Sequence, residues 1–224
     1  MDITDIPIIP LRNLEEGLRG LGIKREKISS VESLSDLNPA LLSERQRGQL
    51  KYAPKTEVLK FEGNEDLWFR SNAKDWATTF VLLPGDLVLL ISEYAAGADI
   101  VVVASCAGVP DPNESFADCA KREVEEESGV ILERVVPLSQ TGLPISLRKS
   151  TERVYPFVGI PLIKDGQVVC KPSKDDPDEK IKPFLMTLQD YWEFISSERF
   201  NNSVTGRDCA YAALRYLGRI GLTA

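Results

Sequence analysis

The stretch GVPDPNESFADCAKREVEEESGV, residues 108 to 130, carries the most informative pattern in this chain. Its first half is a proline-rich loop, and its second half crowds four glutamates into the five positions from 123 to 127. Carboxylates this close together repel one another. The pattern therefore predicts either a solvated acidic surface or a place for a cation.

The same stretch predicts a helix with defined ends. Ser115, with Asp118 three residues later, is placed to cap the N-terminus, and Gly129 is placed just past the C-terminus. Between them, small and apolar residues form a stripe that we expect to pack on a sheet. The stripe consists of Ala117, Ala120, Val124 and Ser128.

Helical geometry groups three of the glutamates. A helix turns about 100° per residue, so Glu127 lies about 40° from Glu123 on one side and Glu126 about 60° on the other. Glu125 points away from them, at about 200°. Carboxylates without a neighbouring histidine or cysteine are ligands for Mg²⁺ or Mn²⁺ rather than for zinc. A plain acidic surface is the commoner result of a charge run, and spacing alone leaves both interpretations open.

Composition excludes several classes of function. The chain of 224 residues contains no histidine, which excludes Ser-His-Asp and Cys-His nucleophiles and histidine-ligated zinc. Its net charge of -7 argues against binding to nucleic acid. The four cysteines lack zinc-site spacing, and neither a signal peptide nor a membrane-spanning run is visible. We therefore expect a reduced, cytoplasmic protein that does not bind membranes.

The remaining sequence predicts an α/β fold with a mixed sheet between helices. Residues 1–50 are predicted to be a helical extension, with helices at 11–21, 31–37 and 40–50, and residues 51–224 the main domain. TEVLKFEG and DLWFRS flank a Gly63-Asn64 turn and predict a hairpin. Further strands are predicted in ATTFVLLPGDLVLLISEY, DIVVVASCAG, ILERVVPL, ERVYPFVGIPLI and QVVCK. KDDPDEKIKPFLMTL is predicted to be an acidic loop and one more short strand, and helices are predicted at 188–196 and 203–217.

The stretch from 108 to 130 also resembles a family signature, the Nudix box. In that box, Gly, five residues, Glu and seven residues precede Arg-Glu-aliphatic-any-Glu-Glu-any-Gly-aliphatic. Every fixed position is in register: Gly108, Glu114, Arg122, Glu123, Val124, Glu126, Glu127, Gly129 and Val130. The resemblance implies an α/β/α sandwich and Mg²⁺-dependent hydrolysis of a nucleoside diphosphate linked to another moiety.

The resemblance also implies a role for each residue of the box. Glu123, Glu126 and Glu127 resemble the metal ligands, and the backbone carbonyl of Ala107 resembles a further one. Arg122 resembles the residue that holds the glutamates in place by ion pairing. Supporting roles are implied for Gly108, at the strand-to-loop turn, and Glu114, in the loop.

The segment PISLRKSTERVYPFVG, residues 144–159, is similar to ADP-ribose and ADP-sugar pyrophosphatases. Glu152 matches a glutamate that this subfamily links to activation of the attacking water. The alternative is a solvated glutamate paired with Arg153. The chain departs from the subfamily in having Ala95 and Ala96 after Tyr94, where an arginine is usual, and Ala104 where a glutamate is usual.

Other residues are candidates for binding the substrate. Arg70, Arg148 or Arg153 could replace the missing phosphate contact, because a guanidinium binds phosphate with two parallel hydrogen bonds. Trp68, Phe69 and Tyr94 could stack on a base, although aromatic residues in strands more often belong to a core.

These observations predict an enzyme that acts on ADP-ribose or an ADP-sugar. The alternatives are a GDP-sugar, NADH, FAD or a CoA derivative as substrate, or a Nudix-fold module that senses a nucleotide without turnover. The subfamily resemblance also implies a homodimer, with residues 51–75 at its interface.

Overall fold

The computed structural model describes residues 2–23, 39–44, 55–60, 67–95, 99–147, 149–172, 181–197 and 204–218. The helix predicted at 31–37, most of the one at 40–50, the Gly63-Asn64 turn and Arg148 lie outside these residues. The helices are α1 (Leu14–Gly20), α2 (Phe116–Ser128), α3 (Leu188–Ser196) and α4 (Val204–Tyr216). Single 3₁₀ turns occupy Ile3–Asp5, Leu11–Asn13 and Pro39–Leu41.

The strands follow the predicted order. They are β1 (Lys55–Lys60), β2 (Leu67–Asn72), β3 (Trp76–Leu83), β4 (Leu87–Ala95), β5 (Ile100–Ala104), β6 (Cys106–Gly108), β7 (Leu132–Pro137), β8 (Leu143–Pro144), β9 (Arg153–Pro161), β10 (Ile163–Lys164), β11 (Gln167–Val168) and β12 (Lys182–Thr187). The main sheet has the order β12-β4-β3-β9-β7. It is mixed, because β3 and β9 run parallel while β4 is antiparallel to both β3 and β12.

The strand predicted through residues 99–108 is divided in two at Ser105, which corrects the sequence interpretation. β5 pairs with the second half of β4, whereas β6 pairs with the first half of β3. β3 and β4 pair directly only at 81–83 with 87–89, next to the turn that joins them. The divided strand therefore bridges the region where β3 and β4 have separated. It ends at Gly108, the first residue of the stretch 108–130.

Helices cover both faces of the main sheet, which gives the three layers that the sequence predicts. On one face, Val124 of α2 packs with Val81, Ile91 and Cys106. On the other face, Phe80 and Phe184 pack with α3 and α4. Burial of the apolar stripe of α2 accounts for its position, since Ala120, Val124 and Ser128 are each at most 1% exposed.

The first residues of the chain pack on the edge of the main sheet. The Leu185 N–H of β12 donates to the Pro7 carbonyl, and the Ile9 N–H donates to the Leu185 carbonyl, both at 2.8 Å. Ile6 and Ile9 are buried in the core clusters of the two faces. This short segment pairs with backbone groups on an edge strand, which would otherwise be open to another chain. The domain boundary at residue 50 stays a prediction.

Strands β1 and β2 form the predicted antiparallel hairpin, separate from the main sheet. Glu57 lies opposite Arg70 in this hairpin, and the Arg70 Nε–Glu57 Oε2 distance is 2.7 Å. The neighbouring pair, Val58 and Phe69, is 50% and 58% exposed.

None of the described helices is both long and apolar enough for a membrane span.

Candidate active site

Helix α2 has the ends that the sequence predicts. The Asp118 N–H donates to Ser115 Oγ at 3.1 Å, which caps the N-terminus. At the other end, Gly129 has a φ of 77° and donates its N–H to the Glu125 carbonyl. Glycine adopts this left-handed conformation without the penalty of a Cβ. These ends fix which helical turn presents the glutamates.

Arg122 joins the loop before α2 to the glutamates of the helix. Its Nε and Nη2 donate to the two carboxylate oxygens of Glu114, both at 2.9 Å. Its Nη1 lies 2.7 Å from Glu123 Oε1 and 2.9 Å from Glu126 Oε2. These contacts raise the pKa of Arg122 and lower that of Glu114. A planar guanidinium can serve three carboxylates in this way, whereas a lysine ammonium presents a single point of charge.

The Glu123 carboxylate lies against strand β6 at Gly108. A Cβ placed on Gly108 would collide with the carboxylate of Glu123. The absence of a side chain at 108 thus leaves room for the Glu123 carboxylate against the strand. This contact is a structural reason for the glycine at position 108.

Glu127, another of the predicted ligands, has a strongly perturbed pKa. Its Oε2 accepts a hydrogen bond from the Ala107 N–H at 3.2 Å, next to the buried thiol of Cys106. Burial is the largest cause that raises the pKa of Glu127 well above its ordinary value, followed by the negative charge of Glu123. A site that disfavours this negative charge is one where a bound cation would relieve the cost.

Glu93 is a further acidic residue near this cluster, and the sequence analysis did not assign it a role. It lies on β4 two residues after Ile91, whose side chain packs with Val124 of α2. Alternate side chains share a face, so Glu93 also projects towards α2. Its charge contributes to the raised pKa of Glu127. The signal was available in the sequence, as an acidic residue in a largely apolar strand.

The donor set fits a hard divalent cation in its chemistry, because it consists of carboxylate oxygens. As the side chains stand, no group of three or more acidic or cysteine side chains among the described residues could hold a metal ion. Glu123 and Glu126 instead both turn towards Nη1 of Arg122. To bind an ion together with Glu127, both Glu123 and Glu126 would have to turn away from Arg122.

The other predicted catalytic residue, Glu152, lies immediately before β9. Its Oε1 accepts a hydrogen bond of 2.8 Å from the indole N–H of Trp76. The side chain of Arg153 donates to the carbonyls of Thr141 and Gly142, at 2.9 and 3.1 Å. The structure therefore gives Glu152 a partner that the sequence analysis missed, because Trp76 is 76 residues away in the chain.

The predicted substrate-binding residues are distributed over several elements. Arg70 is in the ion pair with Glu57 on the hairpin, and the Tyr94 hydroxyl donates to Asp99 at 2.7 Å. The Phe69 side chain is largely exposed, and the Trp68 backbone lies in β2. The Trp68 side chain and Arg148 lie outside the part of the chain that the structure describes. None of the described hydrogen bonds joins Arg70 to a glutamate of α2.

An open cavity of about 580 Å³ lies between the loop before α2 and the segment leading into β3. The ring of Phe116, on its wall, stacks on Tyr155 with centroids 3.7 Å apart. The lining residues are Asn72, Ala73, Lys74, Asp75, Val109, Pro110, Pro112, Phe116 and Thr151. Its volume is in the range of sites for small organic ligands.

Comparison with known proteins adds to this geometry. A family model for the NUDIX domain matches residues 74–202, more than half of the chain. The chain belongs to the Nudix family. The predictions of a Nudix pyrophosphohydrolase and of an α/β/α Nudix-type fold are confirmed.

One similar solved structure is the crystal structure of an ADP compounds hydrolase. The two are similar over 88% of this chain and 98% of that one, with a TM-score of 0.59 and 19% sequence identity. At this identity the similarity shows the fold. A search of curated proteins found no match.

Proposed function

We propose that this Nudix hydrolase cleaves the diphosphate of ADP-ribose or an ADP-sugar, and that the reaction depends on Mg²⁺. The products would be AMP and a sugar phosphate. The observation that carries the proposal is the arrangement of α2 against β6, where Glu127 has a raised pKa beside Glu123 and Arg122 holds the neighbouring carboxylates. The similarity to an ADP compounds hydrolase supports an ADP-containing substrate.

The carboxylates of Glu123, Glu126 and Glu127, with the Ala107 carbonyl, would hold the Mg²⁺, and Mn²⁺ suits the same donors. A divalent cation bound there supplies positive charge for the diphosphate oxygens and makes a bound water more acidic. Arg122 keeps the glutamates in position, and Glu114 fixes Arg122 from the other side. Gly108 leaves the space that the Glu123 carboxylate occupies.

Glu152 would accept a proton from the attacking water. A new bond then forms between the water oxygen and one phosphorus, and the bond from that phosphorus to the bridging oxygen breaks. Arg70, Arg148 and Arg153 are the candidates for phosphate contacts, and Trp68 is a candidate for stacking on the base. Arg70 and Arg153 would each give up a contact within the protein to do so.

The experiment is a substrate panel with Mg²⁺, in which products are separated by chromatography. The panel contains ADP-ribose, ADP-glucose, GDP-mannose, NADH, FAD and a CoA derivative. We expect AMP from an ADP-sugar or ADP-ribose, and loss of most turnover in Glu126→Gln. Preference for another member would change the substrate class, whereas nucleotide binding without any turnover would favour the sensing module.

We also propose a homodimer that uses residues 51–75. The exposed pair Val58 and Phe69 on the β1-β2 hairpin supports this, because an apolar cross-strand pair is a suitable contact surface. Light scattering should give twice the chain mass for the native protein and the single mass for Val58→Glu. The matched control is Ile163→Glu on the β10-β11 hairpin, where Ile163 is 48% exposed. A native protein of single mass would contradict the proposal.

A further inference from the structure

The open cavity described above adjoins the glutamates of α2 through the loop that follows β6. Val109 lines the cavity, and its carbonyl accepts a hydrogen bond of 3.3 Å from Nη2 of Arg122, whose Nη1 contacts Glu123. The residue before it, Gly108, lies against the Glu123 carboxylate. A ligand in the cavity would therefore lie next to the residues that are proposed to hold the cation.

Helix α2 provides a second link between the cavity and the glutamates. Phe116, which lines the cavity, precedes Glu123 by seven residues on this helix. Seven residues turn a helix through about 700°, so the two side chains lie within about 20° of one another and about 10 Å apart along the axis. The helix face that carries Glu123 thus continues into the wall of the cavity.

The other wall is the segment that joins β2 to β3, and hydrogen bonds fasten it to the residues around the start of β9. The Thr151 N–H donates to the Ser71 carbonyl at 3.0 Å, and the Arg153 N–H donates to Asp75 Oδ1 at 2.8 Å. The Thr151 hydroxyl donates to Asn72 Oδ1 at 3.2 Å. Asn72, Asp75 and Thr151 all line the cavity, so this wall is held in place before any ligand binds.

The polar side chains of the cavity suit a ligand with hydroxyl groups. Asp75 has a carboxylate, which accepts hydrogen bonds from hydroxyls and repels the negative charge of a phosphate. Its bond with the Arg153 N–H engages one site on Oδ1, whereas an ionised carboxylate has about four acceptor sites. Asn72, Lys74 and Thr151 add further groups that can bond to hydroxyls.

The apolar part of the lining suits the ring of a sugar better than it suits a base. Val109, Pro110 and Pro112 present aliphatic surface to the cavity. The aromatic ring on the wall, that of Phe116, stacks on Tyr155 with centroids 3.7 Å apart. This stacking covers one of the two faces with which Phe116 could bind a base. Aliphatic contacts beside hydroxyl-binding groups match the chemistry of a sugar.

We propose that this cavity is the subsite for the sugar of a nucleoside diphosphate sugar, and that Asp75 binds the hydroxyl groups of that sugar. The inference rests on the proposed function, because it assumes that the diphosphate is held at the glutamates of α2. A sugar is joined directly to the diphosphate, so a subsite for it has to adjoin those glutamates, as this cavity does. Asp75 then contributes to the choice among ADP-linked substrates.

The test compares the faster of ADP-ribose and ADP-glucose with the terminal methyl ester of ADP, which has the same adenosine and diphosphate but no second sugar. The assay gives kcat/KM for the ADP-sugar and the inhibition constant of the methyl ester in competition with it. Asp75→Asn is the main variant, because its amide oxygen can still accept from the Arg153 N–H. Ala73→Leu, which adds bulk to the lining, is an independent second variant. Asp165→Asn is the matched control, in the exposed turn between β10 and β11.

We expect Asp75→Asn to lower kcat/KM for the ADP-sugar about tenfold and to change the inhibition constant of the methyl ester less than about twofold, because a hydrogen bond to a charged group is removed. Ala73→Leu should show the same selectivity, and Asp165→Asn should match the native protein. Thermal unfolding checks that each variant is folded.

Equal losses on the ADP-sugar and the methyl ester would overturn the inference, since the cavity would then contact a part that the two compounds share. An unchanged kcat/KM for the ADP-sugar in both cavity variants would also overturn it, while leaving the hydrolase proposal in place. No turnover of either ADP-sugar by the native protein would overturn the proposed function and this inference together.

Discussion

At the scale of single residues, the site depends on one arginine and on the space beside one glycine. Arg122 contacts carboxylates of both the loop and the helix, and Gly108 allows Glu123 to approach β6. The sequence pattern predicted which glutamates share a face of α2, because a helix has a fixed angular period. It could not show that the glutamates turn towards Arg122, since side-chain orientation depends on the surrounding structure.

Gly108→Ala should impair the site more than the fold. The added methyl group would displace the Glu123 carboxylate, so we expect kcat/KM to fall at least about tenfold while the protein remains folded. Steady-state assays with circular dichroism would measure both properties. Gly20→Ala is the control, because a Cβ at that position of α1 meets nothing within 4 Å. Activity of Gly108→Ala equal to that of the control would contradict this view of the glycine.

The raised pKa of Glu127 makes a prediction about stability and pH. In the folded protein this carboxyl keeps its proton above the ordinary value of 4.5, so the folded state binds more protons than the unfolded state. Its contribution to stability is therefore complete below about pH 4.5 and is lost as the pH rises through the raised pKa. Urea unfolding in the presence of a chelator should show a decline with pH that is smaller in Glu127→Gln. The same decline in both proteins would count against the raised pKa.

At the scale of secondary-structure elements, the sequence predicted the β1-β2 hairpin, α2 and α3 well, because each has a clear period and clear end signals. The bounds of α3, residues 188–196, are the predicted ones. The division between β5 and β6 was missed, since the run IVVVASCAG is continuous in sequence and only the separation of β3 from β4 divides it. The Trp76–Glu152 bond was missed for the same reason: it depends on the pairing of distant strands.

The cap of α2 provides a prediction at this scale. Ser115→Ala removes the acceptor for the Asp118 N–H and should lower the free energy of unfolding by about 1 kcal/mol. Ser115→Thr, which keeps the hydroxyl, should retain most of the stability. Chemical denaturation of the two variants measures the difference. A Ser115→Ala protein as stable as the native one would show that the cap contributes little.

At the scale of the whole molecule, three layers bring the loop, α2 and β6 together at one place. Alternating strands and helices predicted these layers, because each strand face and helix stripe must be buried against another element. The pairing of residues 7–9 with β12 could not be predicted, since a segment of three residues has no measurable period. Substrate choice is likewise not predicted by the box, whose proposed role concerns the diphosphate rather than the groups attached to it.

The central claim is that the face of α2 bearing Glu127 catalyses hydrolysis of a diphosphate. Glu125 offers a matched comparison, because it lies on the same helix but points away and pairs with Lys171 at 2.7 Å. The decisive measurement is the rate of AMP release from ADP-ribose with Mg²⁺ by the native protein, Glu127→Gln and Glu125→Gln. We predict a loss of at least about a hundredfold in Glu127→Gln and a rate within about twofold of native in Glu125→Gln. Equal rates in all three proteins would contradict the claim.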